Sequence, residues 1–430
     1  MTAITSSEYN PNSKHASNCL SLFKKDEVAI LQDFEKYLQK VLAIPASHED
    51  LLSHTNLSRG RRMQLAFMTL QSFWSIPRLG FFCSLYTPFY SEETATRLRF
   101  YFADYFEELG LLGRTLQIAY FIFGLGCMAD QILLRRSERS QSLSFLIDIL
   151  RLQNGNYGLE ESERMHLLQS FKKKIIFTKM MVGPTNLSTH VYDVVGCSLF
   201  LWNKRPPVMI ALVAVTNLII MCIDVITIEG HYFWSYLSYI MTTDYLKCRV
   251  NSIKKNVREL SNNITNSTIM EVLAQIDDLK DTFRVYNRTM NPLLRNMMYM
   301  FRGAVCCLFF LTTIEMHPFL KFCIVTTVTG LSICIMLTAM YISGLKTKLL
   351  SLYEELNTVS ATQEKNISVK TRFCLMKTIK EIGTSTLNKD GHFIIGLADG
   401  SGPAISSMEV FELTLEIVFN TLMFMQMVYN

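Results

Sequence analysis

Long apolar runs separated by polar segments follow one another along the chain. There are seven, at residues Leu65–Phe89, Leu111–Leu134, Ile175–Trp202, Val208–Tyr236, Asn296–Ile314, Phe319–Leu345 and Ala404–Asn430. Each has the length of the roughly 20 residues that a helix needs to cross a bilayer. The pattern therefore predicts an all-α polytopic membrane protein with seven transmembrane helices.

The last run, residues 404–430, carries a polar seam. A helix here places Glu409, Glu412, Glu416 and Asn420 at steps of three and four residues, so they share one face. A carboxylate inside a membrane span is costly unless it faces water or a partner. The seam thus predicts a helix that lines a pore or a cavity. The alternative is that the seam packs against neighbouring helices.

Composition supports a membrane protein. Hydrophobic residues make up 49% of the 430 and charged residues only 18%, and the mean hydropathy is +0.20. Arg114, Asp130 and Asp224 lie inside predicted crossings, where charges face the bundle interior, so a polar cavity lined by protein is expected. The chain has no basic stretch interleaved with aromatic residues, and nucleic acid is not an expected partner.

The basic residues alternate from one inter-run segment to the next. Segments 1–62, 135–174, 237–295 and 346–403 each hold eight or nine Lys and Arg, whereas the other connections hold two or fewer. Basic residues cluster on the cytosolic side of membrane proteins. The N-terminus is therefore predicted to be cytosolic and the C-terminus extracellular, which is opposite to receptors that signal through G proteins.

Helical patterns continue beyond the fourth, fifth and sixth runs into the predicted cytosolic segments. They cover Tyr239–Leu260, Ile269–Leu294 and the apolar positions from Leu349 to Val359, with one more helix at Phe373–Ile382. We expect a cytosolic anchor from segments 237–295 and 346–403, packed either within one chain or between subunits. A cytosolic N-terminal arm, residues 1–62, with a short helix at Asp26–Leu42, would precede the transmembrane domain of residues 63–430. The stretch Asn388–Pro403 predicts a loop.

Signals for catalysis or metal binding are weak in the sequence. The eleven cysteines form no Cys-x-x-Cys pair, and the eight histidines show no metal-ligand spacing. We therefore expect neither an enzyme nor a cofactor or metal.

In layout and in its last helix the chain resembles the arthropod gustatory receptors of the insect chemoreceptor superfamily. The family signature is Thr-Tyr, five mostly apolar residues and Gln-Phe. Here Gln426 precedes Met427 at the Gln-Phe position, while Phe419 and Asn420 replace Thr-Tyr and Thr421 is displaced by two. The stretch Tyr236–Leu260 is also similar to the extension of the family's fourth helix, in particular at Tyr245, Asn251 and Ile253.

The resemblance implies a ligand-gated, non-selective cation channel in the plasma membrane of a sensory neuron dendrite. Such receptors are homo- or hetero-tetramers in lipid that bind a small-molecule tastant, and their last helices surround a central pore. By motif, Gln426 takes the pore position, and the polar seam adds Glu416, Asn420 and Thr421. Polar and aromatic positions in the crossings supply candidate ligand-pocket residues: Tyr120, Asp130, His190, Asp193, Trp202 and Tyr341.

Other classes stay open at this point. They are an insect odorant receptor of the same superfamily, a seven-helix receptor coupled to G proteins, and a transporter with a midplane site. The chain lacks the Asp-Arg-Tyr and Asn-Pro-x-x-Tyr sequences of the G-protein-coupled receptors, and it shows no internal repeat of the kind that many transporters carry.

Glycosylation tests the predicted topology. Acceptor sequons occur in predicted cytosolic segments, at Asn56, Asn263, Asn266, Asn287 and Asn366. We expect no glycan at any of them when the protein is expressed in insect cells, measured as an unchanged gel mobility after glycosidase treatment. A mobility shift that disappears in Asn263→Gln or Asn366→Gln would show that these segments are extracellular and that the predicted topology is wrong.

Overall fold

The computed structural model describes residues 59–139, 159, 161–260, 265–312, 317–362 and 367–387. These residues form helices and no β-strand. The α-helices are α1 (Arg59–Ser84), α2 (Glu92–Tyr101), α3 (Gly110–Arg139), α4 (Glu161–Lys204), α5 (Val208–Leu260), α6 (Asn266–Leu311), α7 (Pro318–Thr362) and α8 (Val369–Leu387). A 3₁₀ helix, Tyr105–Leu109, joins α2 to α3.

The helices that the sequence predicts are confirmed within the described residues. The first six apolar runs lie on α1, α3, α4, α5, α6 and α7. The inward extensions are continuous with the crossings, since α5 runs unbroken over 53 residues and α7 over 45. The predicted helix at Phe373–Ile382 lies inside α8. The first helix ends at Ser84, five residues before the predicted end, just ahead of Thr87-Pro88, where helical backbone is disfavoured.

Four segments of the described helices are long and apolar enough to cross a membrane. They are Tyr105–Asp130, Val208–Leu260, Leu294–Leu311 and Pro318–Thr362. The helices α1 and α4 are long but less apolar; α4 carries Lys172, Lys173 and Asp193 along its length. The number of seven crossings and the sides of the two termini therefore stay predictions.

The connection between the first two crossings is more structured than its sequence suggested. Ser91 caps α2 by accepting a hydrogen bond from the Thr94 backbone N–H at 3.3 Å. The buried Arg99 guanidinium donates to the Leu85 carbonyl at 2.8 Å and lies 4.2 Å from the centre of the Tyr86 ring. These contacts fold the connection onto the end of α1.

The centre of the fold is α5, which packs against α1, α3, α4, α6 and α7. Its second half is buried on almost every side, including Tyr239, Met241 and Val250. On α6 the aromatic residues Phe283 and Tyr286 are fully buried. With α7 and α8, these parts of α5 and α6 form the compact base that the sequence predicts as a cytosolic anchor.

Polar contacts hold the rim of this base. Arg249 on α5 pairs with Asp278 on α6 at 2.7 Å, and Arg258 on α5 pairs with Glu355 on α7 at 2.7 Å. A capping box at Thr265 starts α6. The partly exposed pairs add little stability individually, so the apolar core supplies most of it.

Several predictions concern residues outside the described ranges. The N-terminal helix Asp26–Leu42, the loop Asn388–Pro403 and the pore helix 404–430 all lie there. Consequently Glu416, Asn420, Thr421 and Gln426 stay predicted pore residues.

Candidate functional site

A partly open cavity lies in the half of the bundle opposite α8. Its volume is about 140 Å³, and side chains of α1, α3, α4, α5, α6 and α7 line it. Apolar groups such as Leu79, Phe123, Met221, Phe301 and Leu331 form most of the wall. A dry, apolar cavity of roughly 150 Å³ is large enough to bind a benzene ring. The cavity therefore has room for a small, largely apolar molecule.

A few polar side chains are spaced around this apolar wall. Tyr192 donates a hydrogen bond to the Leu320 carbonyl at 3.0 Å, and Tyr232 donates to the Phe123 carbonyl at 3.3 Å. Thr189 donates to a Glu229 carboxylate oxygen at 2.8 Å. These hydroxyl groups are already engaged within the protein, so they are not free to donate to a ligand.

Tyr120 differs from Thr189, Tyr192 and Tyr232 in the same wall. Its hydroxyl group is buried and has no hydrogen-bond partner within the described part of the chain. A buried hydroxyl without a partner costs about 1–3 kcal/mol. The Tyr120 hydroxyl is therefore available to a ligand in the cavity, as a donor or as an acceptor.

Asp130 forms a buried polar network beside the cavity. The carboxylate is fully buried on α3; one oxygen lies 3.1 Å from the His231 Nε2 on α5, and the other accepts a hydrogen bond from Asn296 on α6 at 2.7 Å. The Asn296 amide also donates to the Gly126 carbonyl at 2.9 Å. The network joins three helices and positions Tyr232, the neighbour of His231, in the cavity wall.

A second polar group lies where α1 meets the connection after α2. Gln117 donates a hydrogen bond to the buried Asp104 carboxylate, and Tyr86 donates to the Gln117 amide oxygen at 2.7 Å. Burial raises the pKa of the Asp104 carboxyl to about 7, although the Arg78 guanidinium nearby acts in the opposite direction. Arg78 also lies close enough to Asp193 and Asp224 to interact with them electrostatically.

The predicted pocket residues fall in different places. Tyr120 lines the cavity, whereas Asp130 lies beside it. Trp202 is 77% exposed at the end of α4. Tyr341 lies beside the ammonium groups of Lys174 and Lys247, which are 4.6 and 4.4 Å from its ring centre. His190 and Asp193 lie together on α4, outside the cavity wall, and a ligand-binding role for these residues stays a prediction.

Sequence reasoning missed other residues of the wall. Glu229 is an ionisable residue inside the fourth apolar run, and such a residue is expected to face the interior of the bundle. Thr189 and Tyr192 lie on the face of α4 that is directed toward Glu229 and the cavity. Ser75 and Thr327 carry no such signal, because hydroxyl residues are common in membrane helices.

Comparison of the sequence finds no protein-family profile and no curated protein that matches this chain. Comparison of the structure finds the insect olfactory receptor OR5 from Machilis hrabei, in a complex with eugenol, with a TM-score of 0.61. The two chains are 11% identical over 94% of this chain and 100% of the receptor. A second structure of that receptor gives a TM-score of 0.59 at 12% identity, with the same coverage. The protein therefore has the all-helical fold of an insect olfactory receptor.

A substitution at Gly126 tests how closely the helices pack between the Asp130 network and the cavity. A Cβ atom added at this position would collide with the Tyr232 hydroxyl and come within 2.8 Å of the Met300 sulfur. Gly126→Ala should therefore lower the free energy of unfolding by about 1–3 kcal/mol, seen as a lower midpoint of thermal unfolding in detergent.

Gly303→Ala on α6 is the matched control, because no described atom lies within 4 Å of the added Cβ. We expect it to keep or slightly raise the midpoint, since Ala favours helix over Gly by about 1 kcal/mol. Equal midpoints for Gly126→Ala and the unmodified protein would contradict the close packing at Tyr232.

Proposed function

We propose that the protein is a chemosensory receptor that acts as a ligand-gated, non-selective cation channel, with the cavity around Tyr120 as its ligand site. The observation that carries the proposal is the cavity itself: a largely apolar space with the buried, unpartnered hydroxyl of Tyr120 in its wall, in a chain with the fold of an olfactory receptor. Ligand pockets are typically apolar with a few polar groups that orient the ligand.

The wall of the cavity favours a particular class of ligand. A sugar carries many hydroxyl groups that would each need a partner, and an apolar wall leaves them unpaired at a cost of about 1–3 kcal/mol each. A small aromatic or aliphatic molecule with one hydroxyl or carbonyl group fits better. The similar receptor OR5 was captured with eugenol, a molecule of this kind.

Gustatory and odorant receptors of the insect chemoreceptor superfamily are both candidates for this function. The interpretation as a gustatory receptor rests on the resemblance of the last helix at Gln426 and of the extension of α5. The odorant-receptor reading is the second candidate, and the apolar cavity and the likeness to OR5 favour it. Neither reading involves catalysis or coupling to G proteins.

A tetramer with a central pore is the assembly that we propose. The helix α8 supports it, because Val369, Phe373 and Met376 follow one another at helical spacing and are 86, 71 and 54% exposed. An exposed apolar stripe marks a contact surface. Contacts between copies of α8 would bring residues 404–430, which follow it in the chain, around a common axis in the plasma membrane. Glu416, Asn420, Thr421 and Gln426 would then line the pore.

Tyr120→Phe tests the ligand site. In cells that express the receptor, agonists with a hydroxyl or carbonyl group should lose about threefold to tenfold in potency, the equivalent of one hydrogen bond of about 0.5–1.5 kcal/mol. Purely apolar agonists should keep their potency. The measurement is the ligand concentration for half-maximal current, with G-protein signalling blocked.

Tyr299→Phe on α6 serves as the control, because Tyr299 is 59% exposed and lies outside the cavity wall. Agonists should have the same potency on Tyr299→Phe as on the unmodified receptor. If Tyr120→Phe also leaves the potency of every polar agonist unchanged, the ligand binds elsewhere.

Gln426→Arg tests the pore. A positive charge at this position should reduce the cation current per receptor at the cell surface, because it repels the permeating ion. The measurement is single-channel conductance. Gln426→Asn keeps the amide and should conduct cations nearly as well as the unmodified channel. Unchanged conductance in Gln426→Arg would show that Gln426 does not line the pore.

A further inference from the structure

Three side chains of the kinds that bind transition metals meet between α4 and α5. His190 and Asp193 lie one helical turn apart on α4, and Cys222 lies opposite them on α5. A ring nitrogen of His190, a carboxylate oxygen of Asp193 and the sulfur of Cys222 all lie within 4.8 Å of one another. Their sequence spacing gave no hint of a site, because the third residue comes from another helix.

Asp193 carries the second observation. Its side chain is completely buried, and neither carboxylate oxygen has a hydrogen-bond partner among the described residues. The Nδ1 atom of His190 is likewise buried without a partner in the described part of the chain. A buried carboxylate is stable as an anion only when a charge or a metal compensates it. Arg78 lies nearby but forms no ion pair with Asp193 within the described ranges.

We propose that His190, Asp193 and Cys222 bind a Zn²⁺ ion that joins α4 to α5. Nitrogen, thiolate and carboxylate donors suit Zn²⁺, whereas Ca²⁺ and Mg²⁺ prefer oxygen donors alone. Zn²⁺ holds its ligands at about 2.0–2.3 Å in a tetrahedron, which places the ligand atoms roughly 3.4 Å apart. The ligand atoms, which lie up to 4.8 Å apart, reach that geometry by closing at most about 1.4 Å, and His190 and Cys222 are only partly buried.

The charges of the site balance when the ion binds. Coordination releases the protons held by the Cys222 thiol and by the Asp193 carboxyl group to solvent, so a thiolate and a carboxylate neutralise the two charges of Zn²⁺. The fourth position is open to a water molecule. The Tyr105 hydroxyl, buried and without a partner among the described residues, lies close enough to Asp193 and Cys222 to interact with them.

The site lies next to the ligand cavity but is separate from it. The cavity is lined by Thr189 and Tyr192 on α4 and by Met221 and Asp224 on α5. The three proposed zinc ligands are neighbours of these residues along the two helices but do not line the cavity. A bound ion would therefore fix the spacing of two cavity walls without occupying the cavity. This inference does not depend on the channel activity proposed above.

Metal binding by the full-length protein in detergent tests the site. The protein is stripped with a chelator, dialysed against buffered Zn²⁺ and measured by mass spectrometry for metal content and by thermal unfolding. We expect one Zn²⁺ per chain and a higher unfolding midpoint, with no such shift from Ca²⁺ or Mg²⁺. Cys222→Ser and Asp193→Asn should each weaken Zn²⁺ binding by at least about tenfold.

Cys334→Ser is the matched control, because Cys334 is a free thiol buried in α7 outside the cluster. It should keep the full Zn²⁺ content and the shift in midpoint. Zn²⁺ binding that is the same in Cys222→Ser, Asp193→Asn and the unmodified protein would overturn the proposal, as would the absence of bound Zn²⁺ in the unmodified protein.

Co²⁺ substitution covers the case in which a variant fails to fold. The unmodified protein with Co²⁺ should show the absorption band of a thiolate–cobalt bond, and its absence would overturn the assignment of Cys222. Because no current is measured, failure of the metal site and failure of the proposed channel function give different results.

Discussion

The burial of α5 among its neighbours is the packing on which the rest of the structure depends. This helix contacts α1, α3, α4, α6 and α7, and it passes without a break from the cavity to the base. In the base, Leu246 and Val257 are fully buried, and their removal from water stabilises the fold. In the membrane-facing half the lipid is as apolar as the side chains, so close packing and hydrogen bonds must hold the helices together.

The buried polar groups of the bundle fall into two kinds. The Asp130 carboxylate has partners on two other helices, and it fixes α3 against α5 and α6. Tyr120 and Asp193 have none among the described residues, although both are buried. Unpartnered polar groups are costly in a low dielectric. The first kind holds helices together, and these two members of the second kind lie at the two candidate sites.

The long helices connect these sites to the base. The cavity wall includes Met221 and Tyr232 on α5, and the same helix carries Arg249 at the rim of the base. The helices α6 and α7 make the same passage. The cavity and the base therefore share three long helices.

The periodicity of apolar residues alone was sufficient to predict the helices, including the extensions of α5, α6 and α7, because a 3.6-residue apolar repeat is a local property of the chain. It was less informative in the connection after α1, where Arg99 and Ser91 direct a short helix through contacts with Leu85 and Thr94. Such contacts depend on how the chain folds back on itself.

The sequence by itself determined an all-helical chain with apolar, membrane-capable helices and a helical base, since length and apolar spacing follow from residue order. It also indicated that charged residues such as Asp130 would lie inside the bundle, because lipid excludes them. Only the tertiary structure decided which side chains meet. The cavity around Tyr120 and the cluster of His190, Asp193 and Cys222 join residues of different helices, and their neighbours are set by helix packing that no local pattern encodes.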